Sequence, residues 1–199
     1  MERRTLIQAP RELHTPRLRL VWPVPEVAAP FAESLNASLP ALRFIHWGQH
    51  AVDRAWAERF CEGGRALVNE GDCLIFHALR RDDGAHVGRI DLHSFDFHTP
   101  RAEIGYVGDV RQSGQGLMRE AVRAVMDLGF SLGLVRIEAI SEVDNTRALH
   151  FAEHALGMVR EGRLHHRERD AQGRLCDQWM FAALAPVPSS APQGAAASA

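Results

Sequence analysis

The stretch from Val107 to Phe130 constrains the fold more than any other. It reads as the end of a strand, a glycine turn and a long amphipathic helix. Leu117, Ala121, Ala124, Val125, Leu128 and Leu132 recur at helical spacing and form one apolar stripe. Arg119, Glu120, Arg123, Asp127 and Ser131 fill the opposite face. The turn before the helix is Arg111-x-x-Gly114-x-Gly116. Its glycines let the backbone take positive φ and come close to a ligand. The first amides of a helix have no partner inside it and lie at the positive end of its dipole, so they suit a phosphate or pyrophosphate. The turn lacks the third glycine of a dinucleotide fingerprint and the Gly-Lys-Ser/Thr of a P-loop.

The chain has 199 residues, enough for one domain with a sizeable core. Lys and Arg number 23 against 25 Asp and Glu, a formal net charge of -2. That balance points to no nucleic acid and no anionic membrane as partner. Cys61, Cys73 and Cys176 are scattered and odd in number, which suits a reducing compartment. No apolar run is long enough to span a bilayer, and Met1 to Pro10 lacks the apolar centre of a signal peptide. A cytoplasmic location is therefore expected. The 11 histidines show no ligand spacing, and the adjacent His165 and His166 would point to opposite faces of a strand, so no metal is expected.

In chain order, residues 1–12 read as a flexible arm and residues 13–185 as a single domain. Leu18 to Trp22 is a first strand. Helices over Pro25 to Ala37 and Ala51 to Val68 flank a loop from Leu39 to Gln49. From Cys73 the apolar period becomes two, which predicts strands over Cys73–Leu79, Val87–Phe95 and Ala102–Val110 with an Asp-Gly turn at Asp83-Gly84. After the long helix come a strand over Val135–Ser141, a short helix over Thr146–His154, and a hairpin of Met158–Arg169 with Cys176–Leu184. Residues 186–199 are rich in Pro, Ser, Ala and Gly and are expected to be a disordered tail. The order describes an α/β (mixed α+β) layer fold. Its βαβ unit places the glycine turn at the carboxyl end of a strand, where such sheets bind ligands.

Four patches together resemble the GNAT superfamily, and within it the RimJ/RimL-type N-terminal acetyltransferases of ribosomal proteins, over roughly residues 13–184. They are Thr15-Pro-Arg-Leu-Arg-Leu20, and Ala102-Glu-Ile-Gly-Tyr106 leading into Arg111-x-x-Gly-x-Gly116. The others are Val143-Asp-Asn145 with Leu156-Gly157-Met158, and Val159-Arg-Glu161-Gly162 with the hairpin residues Asp177, Met180 and Phe181. The resemblance implies a mostly antiparallel central sheet with flanking helices, a βαβ coenzyme A site, and acetyl-CoA as cofactor. It places the pyrophosphate on the amides of Gln112, Ser113, Gly114, Gln115, Gly116 and Leu117, beside Arg111. The pantetheine arm would run along Val107, Gly108, Asp109 and Val110. Asn145 would bond the pantetheine and Arg147 would approach the phosphates; Asn145 also suits a helix N-cap. The chain departs from the pattern in three places. Ala148 stands where many relatives have Ser, one extra residue separates Asn145 from Gly157, and the short helix has no tyrosine to act as general acid.

The implied activity is acetyl transfer to a primary amine by direct attack in a ternary complex, the acceptor being the α-amino group of a protein or peptide. A small-molecule amine is the alternative acceptor, and a non-catalytic coenzyme A-binding regulatory domain is the alternative of another class. Such chemistry needs a base for the amine, donors for the thioester oxygen and an acid for the leaving sulfur. The candidates are Glu103 and His93, side by side if the hairpin pairs them, Glu161 near the acceptor, and Ser141 as donor to sulfur. Each is equally readable as an ordinary polar surface residue. The residues do not reveal oligomeric state, and a homodimer stands as one alternative.

Overall fold

A computed structural model describes residues 1–170 and 172–186. The strands form one sheet in the order β1-β2-β3-β4-β5-β6-β8-β7. These are Glu12–His14 (β1), Leu18–Val21 (β2), Leu74–Arg80 (β3), His86–Asp96 (β4), Arg101–Gly108 (β5), Arg136–Glu142 (β6), Val159–Arg169 (β7) and Leu175–Leu184 (β8). Every neighbouring pair is antiparallel except β5 and β6. The helices are Arg3–Ile7 (α1), Ala28–Ser38 (α2), Arg54–Glu70 (α3), Leu117–Ser131 (α4) and Thr146–His150 (α5), the last continued by a π-turn over Phe151–Ala155. This is the mixed, mostly antiparallel sheet with flanking helices that the sequence predicts. Among the described residues, no helix is long and apolar enough to cross a membrane.

Strand alternation sorts the core into two layers. Leu74, Phe76, Ile90, Leu92 and Ile104 face α4, whose Leu117, Ala121, Val122 and Val125 are fully or nearly buried against them. The other face is covered by α2 and α3 through Phe31, Leu35, Ala57 and Cys61. Glu120 departs from its expected place on the solvent face. It accepts from Thr15 Oγ1 at 2.6 Å, from the Arg17 amide at 2.9 Å and from Arg17 Nε at 2.6 Å, fastening α4 to the start of β2.

The N-terminal residues depart from a flexible arm. Leu6 is fully buried, Arg3 pairs with Asp72, and β1 adds an edge strand by pairing Leu13 with Leu20. The segment is too short and too mixed to show a period, and its order comes from the apolar surface it covers. The expected disordered tail lies, from residue 187 onward, outside the described residues.

Between the sheet and α2 lies a polar pair in apolar surroundings. His77 Nδ1 and His86 Nε2 are 3.1 Å apart, both rings are buried, and Phe31 stands edge-on to His77 at 4.8 Å. Burial, with His86 and Arg89 nearby, pushes His77 well below the ordinary imidazole range; burial pushes His86 down to about 4, although the Asp109 carboxylate opposes it in part. The unfolded chain therefore takes up protons below pH ~6.5 that the folded chain refuses. Stability should be complete above that pH and fall as pH drops toward 4, by up to about 1.4 kcal/mol per pH unit for each histidine. Urea midpoints measured from pH 7 to pH 4.5 should decline, and less steeply for His86→Gln. A flat profile down to pH 5 would contradict the neutral pair.

Candidate active site

The site exists because β5 and β6 part. They pair in parallel only from Arg101 to Glu103 against Arg136 to Glu138. Beyond that point β5 runs on to Gly108 and β6 to Glu142 with no ladder between them, so a wedge opens. A cavity of about 350 Å³ leads from the wedge to the glycine turn, lined by Tyr106, Val107, Gly108, Asp109, Gln112, Ser113, Gly114, Gly116, Leu117, Asn145 and Arg147 among others. A second cavity of about 160 Å³ continues into the wedge past Ile104, Ser141, Glu142 and Phe181. Tyr106, Phe44, Ile45, Asn145 and Ala148 line both, so the two are adjoining chambers.

Gly114 and Gly116 adopt φ of 78° and 72°, and a side chain at Gly114 would meet nothing within 4 Å. Among the described residues, no acceptor takes the backbone amides of 114–119. Arg119 and Arg147 add two guanidinium groups to the same cavity, Arg147 donating to Ser113 Oγ at 2.7 Å. Unpartnered amides at a helix N-terminus, backed by arginine, fit a pyrophosphate.

Three residues expected at the cofactor brace the turn and do not line the cavity. Arg111 folds back on the buried Asp109 carboxylate, with Nη2 to Oδ2 at 2.6 Å and its own amide to Oδ1 at 2.8 Å. Burial pushes the Asp109 carboxyl up, but the Arg111 hydrogen bonds outweigh it and hold it below its ordinary value. The Val110 amide donates to Ser38 Oγ at 3.1 Å, and the Gln115 carbonyl accepts from Arg17 at 2.9 Å.

The hairpin register does place His93 opposite Glu103, with Nε2 to Oε2 at 3.7 Å. Asp91, which periodicity places on that face without singling it out, completes the group at 2.8 Å from His93 Nδ1. That contact, against the cost of burial, raises the His93 pKa, and Glu103 adds to it. The pair lies on the α2/α3 face, beside the point where the strands part, and lines neither chamber. Ser141 lines the wedge and accepts from Asn145 Nδ2 at 3.0 Å. Asn145 also caps α5 through the Ala148 amide at 3.3 Å, so it is both a cap and a cavity residue. Glu161 is not brought to the wedge. It is the extra residue of a bulge in β7 and is ion-paired with Arg136 at the far end of β6 from Ser141.

The extra residue between Asn145 and Gly157 is absorbed by the π-turn, closed by Leu156 N to Phe151 O at 3.0 Å. The turn sets Phe151 against the ring of Tyr106, centroids 5.1 Å apart. Tyr106 carries no site signal in the sequence beyond being the chain's one tyrosine. The sequence places the chain's one phenol on a strand and not on the short helix, and β5 carries it to the junction of the two chambers. Burial pushes its pKa above the ordinary value, so it stays protonated.

The acetyltransferase (GNAT) domain family matches residues 17–159. An uncharacterized N-acetyltransferase p20 of Bacillus licheniformis is 36% identical over 119 residues, a match that spans 59% of this chain and 66% of that protein. Among solved structures, the microcin C7 self-immunity acetyltransferase MccE, in complex with acetyl-CoA and AMP, superposes with a TM-score of 0.78 at 19% identity, covering 85% of this chain and 93% of that one. RimL, a ribosomal L7/L12 α-N-protein acetyltransferase in complex with coenzyme A, superposes with a TM-score of 0.76 at 19% identity, covering 88% and 97%. At these identities the structural likeness is one of fold.

Proposed function

The chain belongs to the GNAT acetyltransferase domain family, and from that premise we propose that it transfers acetyl from acetyl-CoA to a primary amine, the α-amino group of a protein or peptide, by direct attack in a ternary complex. The observation that carries the reading is the run of unpartnered amides over 114–119 at the mouth of a cavity that ends between parted strands. Acetyl-CoA, when bound, supplies the acyl group as a thioester.

The amides with Arg119 and Arg147 hold the pyrophosphate. The unladdered edge of β5 beyond Glu103 offers its backbone groups to the pantetheine amides, and Asn145 adds a side-chain donor and acceptor. Tyr106, protonated at working pH, gives its proton to the sulfur as the thioester breaks. His93 and Glu103, through water, take the proton that the ammonium must lose, with Ser141 as a further donor in the wedge. The likeness to a RimL structure supports a protein N-terminus as acceptor. Among the described residues Cys61, Cys73 and Cys176 are free thiols, which supports a cytoplasmic location.

Calorimetry and thermal shift with acetyl-CoA and desulfo-coenzyme A test the premise. Micromolar binding is expected, raising Tm by mass action. Gly114→Val and Gly116→Val each force a branched side chain into positive φ, at about 1–3 kcal/mol, and should weaken binding about 5- to 150-fold. Absence of binding in the native chain would remove the acetyltransferase reading.

A further inference from the structure

Glu142 is the last residue of β6 and stands in the wall between the wedge and a wider polar groove of about 640 Å³. The groove lies between Arg43-Phe44, the turn after β6, and the end of the β7–β8 hairpin. Four of the six other charged residues that line it are matched among themselves. Arg163 pairs with Asp177 at 2.8 Å and Arg174 with Asp170 at 2.7 Å.

Glu142 differs. Among the described residues its carboxylate has neither an ion-pair partner nor a hydrogen-bond donor, although it is half-buried. Burial and the nearby Asp170 and Asp144 push its carboxyl up, and His46 and Arg43 offset them only in part. A half-buried carboxylate among other carboxylates favours a cation. Strand alternation also gives it a direction. Ser141 turns to Asn145 on the cofactor side, so Glu142 turns the other way, toward residues 43–46. An amine that approaches the wedge from the side opposite the cofactor must pass it.

We propose that Glu142 docks the acceptor's ammonium group, taking a cationic peptide N-terminus from the polar groove and holding it at the entrance to the wedge. The contact is an ion-paired hydrogen bond, and no covalent bond is made or broken in it. The assignment rests on the acetyl-transfer reading of the adjoining chambers. It also narrows the acceptor class, since the polar groove suits the peptide bonds that follow an N-terminus better than the body of an apolar amine.

The test is steady-state release of coenzyme A thiol with tripeptides of the form X-Ala-Ala, their N-acetylated forms serving as blanks, in the full chain and in Glu142→Gln, Glu142→Asp and Glu142→Lys. Loss of one charge-assisted hydrogen bond predicts an acceptor KM raised about tenfold or more in Glu142→Gln, with the acetyl-CoA Kd unchanged. Glu142→Asp should recover part of the loss and Glu142→Lys should deepen it. An unchanged acceptor KM in Glu142→Gln, or acetyl-CoA binding without turnover of any tripeptide, would overturn the docking role. Failure of the native chain to bind acetyl-CoA would instead overturn the reading beneath it, so the two failures are told apart.

Discussion

Tyr106→Phe is expected to lower kcat by about two orders of magnitude while leaving acetyl-CoA affinity within about twofold, the scale of losing one positioned proton donor. The substitution removes a single oxygen. The ring keeps its packing on Phe151, and both chambers keep their wall. An effect on packing would appear in Tm, whereas an effect on proton transfer appears in kcat alone. The burial that raises the phenol pKa also predicts that no alkaline fall in rate below pH ~10 belongs to this group. The measurement is thiol release under saturating acetyl-CoA, paired with calorimetric binding. A Phe variant within about threefold of the native kcat would return the acid role to water or to Ser141.

Gly88→Val should destabilise the fold by about 3 kcal/mol, the upper end of ordinary overpacking, and abolish coenzyme A binding with it. Gly88 pairs with Gly108 across β4 and β5, and the first turn of α4 rests on the two. A Cβ on Gly88 would stand 2.5 Å from the Val107 carbonyl oxygen and collide with Met118 Sδ, while one on Gly108 would reach Met118 Cγ at 2.9 Å. The carbonyl yields only if β4 and β5 part, and Met118 only if the first turn of α4 lifts. Lifting α4 moves the amides of 114–119, which ties this packing defect to the ligand. Chemical denaturation and coenzyme A titration of the same variant test both halves. Gly63, mid-helix in α3 with no atom within 4 Å of its missing Cβ, is the control. Gly63→Ala should gain about 1 kcal/mol, the ordinary difference in helix propensity. A Gly88→Val chain as stable as the native one would show that Met118 and the Val107 carbonyl can make room.

What was legible in the sequence was local. The apolar stripe of Leu117 to Leu132 and the glycines before it specify a helix and its open N-terminus, because helical periodicity and a missing Cβ act within a few residues. The pairing of His93 with Glu103 was legible only as a possibility, because the turn that sets Asp96 opposite Arg101 would by itself bring Ser94 to Glu103, and a bulge between His93 and Asp96, where Ser94 takes a φ of 53°, decides the register. The capping role of Asn145 was legible too, since its bond reaches only to Ala148.

What only the tertiary structure decided depends on segments distant in the chain. Leu6 carries no period, and its order comes from the core it covers. Glu161 sits beside the right glycine, but a bulge in β7 turns it to Arg136. Arg111 reads as a phosphate ligand until the buried Asp109 claims it. Tyr106 and Glu142 became candidates only when the parting of β5 and β6 opened a wedge beside them, and that parting is set by where two parallel strands, joined through a helix, cease to pair. Helices and turns are written in the spacing of neighbouring residues. A cleft is written in the divergence of strands whose partners lie thirty or more residues away.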